Sequence, residues 1–192
     1  MNYEDLDLSF REFESLILQK GSFRASTLTC ARFTKCTLID VDFSEAFLGE
    51  VVFQDCLLDK CIFNYANLQR AKFIRCSLTN SSFSRAFMGQ ASFMGCFIEK
   101  CDLSVCQIPD GEFINTQILS SSFENSYVRS STFENTLLKD VDVSYADLRK
   151  VSFRNTTFDN IKDEGSIFYG KKPWGGENPP SSWNEFESYG FD

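Results

Sequence analysis

From Tyr3 to Phe158 every fifth residue of this chain is Tyr, Phe, Leu, Ile, Met or Val, without exception. An α-helix brings one face round every 3.6 residues and a strand every two, so neither holds a strict five-residue stripe on one side. The period must belong to a larger structure. Two residues before each of these centres, from Gly21 to Thr156, stand only Gly, Ala, Ser, Thr, Cys or Val. The repeat is therefore small, x, large apolar, x, x, as in CIFNYANLQRAKFIRCSL (61–78), with centres at Phe63, Leu68, Phe73 and Leu78. An internal repeat over most of 192 residues implies one domain.

The same pattern narrows the chemistry. There is no histidine, which removes imidazole bases, Ser-His-Asp and Cys-His nucleophiles, and imidazole metal ligands. No Walker or GxGxxG loop is present, and carboxylates within reach of one another, such as Asp40 and Asp59, have no dry pocket on a convex surface to shift their pKa. The expectation is a non-enzyme with no cofactor and no metal. A net charge of −8 argues against direct nucleic-acid binding and against anionic membrane surfaces. No apolar run approaches the ~20 residues of a membrane span, and the acidic start MNYEDLDLSF is unlike a secretory signal, so a soluble cytoplasmic protein is expected. Seven of the eight cysteines (Cys36, Cys56, Cys61, Cys76, Cys96, Cys101 and Cys106) occupy the small position of the repeat. They read as small inward hydrophobes, with only Cys30 facing outward.

The segments ANLQR (66–70), ADLRK (146–150) and CSLTN (76–80) resemble the pentapeptide-repeat proteins, whose consensus is A(D/N)LXX, and the resemblance runs over about residues 21–160. It implies that family's fold, an all-β, right-handed quadrilateral β-helix with four pentapeptides per coil, here about seven to eight coils. The physics agrees with it. A quarter turn per repeat lets the large and the small residue point inward, and coils stacked at ~4.8 Å pair their backbones with their neighbours. A coil of twenty residues predicts columns twenty apart: Cys36, Cys56, Cys76 and Cys96, continued by Thr116, Thr136 and Thr156. Packing explains that column better than metal or disulfide chemistry, because parallel Cβ vectors suit neither. Residues 41–61, 81–101 and, more weakly, 121–141 also align at offsets of 40, as duplicated coil pairs would.

Residues 1–20 keep the centres but place Leu6, Arg11 and Leu16 at small positions, so an atypical first coil or N-terminal cap is expected, with a short helical turn in REFESLILQK. Residues 21–160 form the repeat. Asp163 breaks the stripe, and the non-repeat segment 161–192, rich in aromatics, Pro and Gly, reads as a cap in which Phe168, Trp174 and Trp183 cover the last coil, or as a tail presenting ENPPSSW. Pro109 and Gly111 predict a local kink or changed turn without loss of register.

Function must then lie on the outer surface. One candidate is an apolar interaction patch: Ile74, Met94 and Ile114 on consecutive coils, close to Val52, with Phe47, Phe87 and Tyr127 on the adjacent face. Contiguous exposed apolar surface marks a partner protein or a second copy, a homodimer. The second candidate is acidic: Asp42, Glu45, Asp102, Glu124 and Asp142 on one face, and Asp40, Asp59, Glu99, Asp140 and Asp159 on the next. The family's quinolone-resistance (Qnr) type implies for such faces a DNA mimic that binds or protects DNA gyrase or another type II topoisomerase. Yet the ten acids share their faces with five bases, while ~34 Å of duplex carries about 20 phosphate charges. An interaction or scaffold module is therefore the first reading and the topoisomerase-directed DNA mimic the second.

Overall fold

The computed structural model describes residues 2–175. The chain winds as a right-handed, four-sided β-helix of eight coils, each twenty residues long. Eight short strands, from Glu12–Glu14 to Ser152–Arg154, stack into one parallel sheet, and eight more, from Ile17–Gln19 to Thr157–Lys162, stack into another. Each residue lies beside the one twenty ahead: Phe33 on Phe53, and Phe53 on Phe73. We number the walls in chain order, centred in the first coil on Tyr3, Leu8, Phe13 and Leu18. Walls three and four are the two sheets. Walls one and two are held by single parallel bridges such as Ile62 to Ser82 and Asn67 to Phe87.

The interior follows from the repeat. On wall one the rings of Phe23, Phe43, Phe63 and Phe83 stack with centroids 4.7–4.9 Å apart. On wall three Phe33, Phe53, Phe73, Phe93 and Phe113 do the same at 4.7–5.1 Å. The two stacks meet edge to face across the axis at 5.8–6.4 Å, the geometry that aromatic quadrupoles prefer. Each fully buried Phe contributes about 2–3 kcal/mol of hydrophobic free energy.

The corners carry a conformational cost. Every fifth residue from Asp5 to Asn160 has φ between +47° and +64°, and all but Gly95 have a side chain. On walls one and two this residue is the third of a turn closed by backbone, as where Ala66 N donates to Phe63 O and Ala71 N to Leu68 O, the arrangement of a type II turn. Wall three has no such bond, and there the small residue after the corner supplies the donor. The thiols of Cys36, Cys56, Cys76 and Cys96 donate to the carbonyls of Phe13, Phe33, Phe53 and Phe73 at 3.2–3.3 Å. The hydroxyls of Thr116, Thr136 and Thr156 continue the series at 2.9–3.0 Å. The cysteine column is thus a hydrogen-bond ladder that satisfies buried carbonyls.

One expectation changes, and one is narrowed to its second alternative, a changed turn in unbroken register. Residues 11–20 form the strands Glu12–Glu14 and Ile17–Gln19 in register with the next coil, not a helical turn, because stacking Phe13 on Phe33 at 4.5 Å overrides local propensity. Around Pro109 the wall does not kink. Pro109 sits second in its turn, where its fixed φ fits, and the closing bond is rerouted: Gly111 N donates to Ser131 Oγ, which donates to Ile108 O. At the other end Asp163 stands at an inward centre and accepts from Lys172 Nζ at 2.7 Å and Trp174 Nε1 at 2.9 Å. The indole lies 5.6–5.8 Å from the rings of Phe153, Phe158 and Phe168. Trp183 and ENPPSSW lie outside the described residues.

Candidate interaction surface

On walls one and two the residue just before many of the centres has a structural task. Asp42, Asp102 and Asp142 each accept, through Oδ1, the backbone N–H two residues on, at 2.8–2.9 Å. Asn67 and Asp147 do so on wall two at 3.1 Å, and Ser22 and Ser122 substitute a hydroxyl at 3.1–3.2 Å. These are Asx and Ser turns that pin the corner. They supply the physical reason for the (D/N) of the repeat motif.

The acidic candidates are therefore largely engaged. Besides the three turn caps, Asp59 accepts from Asn80 and Thr79 at 2.7–2.8 Å, bonds that hold its carboxyl below the usual range. Asp140 accepts from Asn160, Asp159 pairs with Lys139 at 2.9 Å, Asp142 with Lys162 at 2.8 Å, Glu99 lies 3.9 Å from Lys100, and Glu45 pairs with Arg24. Asp40 and Glu124 complete the set on the same two walls, wall four and wall one. Asp40 and Asp59 meet through backbone, Asp40 N donating to Asp59 O. Among the described residues no group of three or more His, Cys, Asp or Glu could hold a metal. Burial pushes the Cys61 thiol up to about 12 and that of Cys101 up to about 11.

The apolar candidates divide into two sites. Ile74, Met94 and Ile114 do stack coil on coil along wall three but are half-buried. Val52, on the other outward column of that wall, lies between Arg32 and Lys72 and does not extend the strip. Phe47, Phe87 and Tyr127 project from wall two with 54%, 47% and 38% exposure. They stand in the cap column, alternating with Asn67 and Gln107. An aromatic ring accepts no backbone N–H there, so these positions give up the turn bond that Asn67 and Asp147 make. A locally unfavourable, exposed aromatic repeated every second coil is a departure from folding logic of the kind found at functional positions. Arg129 lies 5.9 Å over the ring of Tyr127. The 40-residue offset already marked these residues; the missing caps become evident only with the turns in view.

The match to known proteins agrees with this geometry. A family model described as a pentapeptide repeat region matches residues 26–103 and 66–143. The chain belongs to the pentapeptide-repeat family. Among solved structures it is similar to HetL, a pentapeptide repeat protein involved in heterocyst differentiation regulation from the cyanobacterium Nostoc sp. strain PCC 7120. The identity is 13% over 82% of this chain and 85% of that one, with a TM-score of 0.54. It is also similar to trypsin-treated QnrB1, a plasmid-mediated fluoroquinolone resistance protein, at 16% identity over 82% and 91% of the two chains and a TM-score of 0.48. A pentapeptide repeat protein from the Arabidopsis thaliana thylakoid lumen is 25% identical over 59% and 69%, with a TM-score of 0.36. No curated protein matches.

Proposed function

We propose that this member of the family is a non-enzymatic interaction module of the cytoplasm whose working surface is wall two. The observation that carries the reading is the replacement of turn caps by exposed aromatics at Phe47, Phe87 and Tyr127, which costs the fold and is repaid only by contact with another molecule. The strip Ile74, Met94 and Ile114 is a subsidiary surface around the corner. A photo-crosslinking residue at Gln69 on wall two, with the same group at Ser77 on wall four as control, tests the reading in cells. A protein adduct from Gln69 and none from Ser77 supports it; no adduct from wall two overturns it.

The topoisomerase-directed DNA mimic is the weaker reading. Asp42, Asp102 and Asp142 are turn caps, and Asp142, Asp159 and Glu45 carry basic partners, so the field along walls four and one is far from that of a phosphate backbone. A supercoiling assay with gyrase and a quinolone is expected to be indifferent to this protein. Protection at micromolar concentration would promote the mimic over the module.

A further inference from the structure

Gly49 and Gly89 follow the aromatic positions on wall two (Phe47-Leu48-Gly49 and Phe87-Met88-Gly89). Other described glycines have a local reason: Gly95, Gly165, Gly170 and Gly175 have positive φ, and a Cβ at Gly21 or Gly111 would come within 2.6 Å of a neighbouring side chain. Gly49 and Gly89 have neither. A Cβ at Gly49 would meet nothing within 4 Å, and at Gly89 its nearest neighbour would be Pro109 Cγ at an ordinary 3.6 Å. Both stand second in a wall-two turn, a position that takes residues of ordinary φ, so glycine there leaves the surface beside the ring without a side chain. The surface beside Phe47 and Phe87 is therefore low and open to an approaching molecule.

Resting on the reading of wall two as the working surface, we infer that its occupant is a second copy of this chain, antiparallel, with the two-fold axis between coils four and five. The cap column from coil one to coil eight reads Asp7, Thr27, Phe47, Asn67, Phe87, Gln107, Tyr127, Asp147. A ridge therefore alternates with a notch. Turned end for end against itself, coil one on coil eight, the column sets Phe47 against Gln107, Phe87 against Asn67 and Tyr127 against Thr27 of the other copy, so that every aromatic meets a notch. Gly49 then receives Pro109, and Gly89 receives Gln69. Of the antiparallel registers that place aromatics in notches, only this one overlaps all eight coils. At the neighbouring corner Tyr65 faces Arg85 of the other copy, a pairing of the kind made within the chain, where the Arg85 guanidinium lies 5.7 Å over the Tyr65 ring. Two contacts are repulsive, Glu50 facing Asp110 and Asp7 facing Asp147, although Arg70 lies 3.4 Å from Glu50 and Arg149 2.6 Å from Asp147. The surface is self-complementary as an isologous dimer requires.

Sedimentation equilibrium of the full chain at high micromolar concentration is expected to give twice the chain mass. Phe87→Asn, which restores a turn cap, should weaken the dimer at least tenfold with Tm unchanged or higher, and Asp110→Asn should tighten it severalfold. A nitroxide on Cys30, the one cysteine that is not buried, should report pairs separated by ~24 Å along the rod, five coils at ~4.8 Å each; a parallel dimer would bring the labels side by side and overturn the arrangement. A monomer at every concentration, with a wall-two adduct to a different protein, overturns the second copy and leaves the interaction reading standing. Absence of both ends the two together.

Discussion

The two ends of this rod solve the same problem differently. A stack of coils leaves an apolar ring uncovered wherever it stops. At the C-terminal end the rings of Phe153 and Phe158 are covered by Phe168 and Trp174, and Trp174 is tied down by Asp163. At the N-terminal end Tyr3, Leu8 and Phe13 are half-buried, and Leu6, Phe10 and Ile17 are 46%, 74% and 73% exposed. The contrast shows what closes a solenoid: one inward position changes from an apolar centre to a carboxylate. In mid-stack a carboxylate at a fully buried centre would be left unpaired at a cost of several kcal/mol. At the last coil the indole and the Lys172 ammonium reach it.

Substitutions can break or sharpen that comparison. The largest effect belongs to neither end: Phe73→Ala, in the middle of its stack, should cost about 3–5 kcal/mol in urea unfolding. Phe13→Ala at the open end should cost roughly a third as much; equal losses would mean that the first coil is as well covered as the middle. Trp174→Ala should cost about 2 kcal/mol, with amide exchange accelerating in residues 152–168 and unchanged around residues 12–19. Asp163 adds a pH signature. Burial alone would raise its pKa, but the hydrogen bonds from Lys172 and Trp174 outweigh that and lower it. A depressed native pKa gives stability that is present above the unfolded value of about 3.9 and lost as pH falls through the native one. Trp174 fluorescence in a Trp183→Phe background should therefore move toward exposed indole below pH ~4 before the coils unfold, and Asp163→Asn should remove that step. The smallest effect is a gain. Val105 has a β-branched side chain at φ +56°, so Val105→Asn should raise stability by about 1 kcal/mol, a change independent of either end.

The stripe makes the coil, its columns and its apolar interior legible in the sequence, because one bulky and one small inward residue per five admit few windings. Which walls would be sheet and which would be turn was harder to read. For wall three a clue stands in the column Cys36, Cys56, Cys76, Cys96, Thr116, Thr136, Thr156, all side chains able to donate; wall four, also a sheet, carries Val41 and Val141 there and gives no such sign. The helical turn expected in residues 11–20 follows from Leu6, Arg11 and Leu16 at small positions; coil-on-coil stacking decides otherwise. On the surface, Asp42 and Asp102 looked like field charges because the turn N–H groups they accept cannot be seen in a charge count. The aromatic column on wall two was visible as a 40-residue echo on the face next to Ile74, but the turn bonds it gives up were not.

Strict twenty-residue registry also makes length editable. Removing residues 41–80, two whole coils, would join Asp40 to Ser81 with every column still in phase and both ends untouched, leaving a rod shorter by ~10 Å. Removing five residues would instead rotate everything downstream by one side and scramble the surface while preserving the filling. Reach along the axis and identity around the circumference can thus be varied separately in such a molecule.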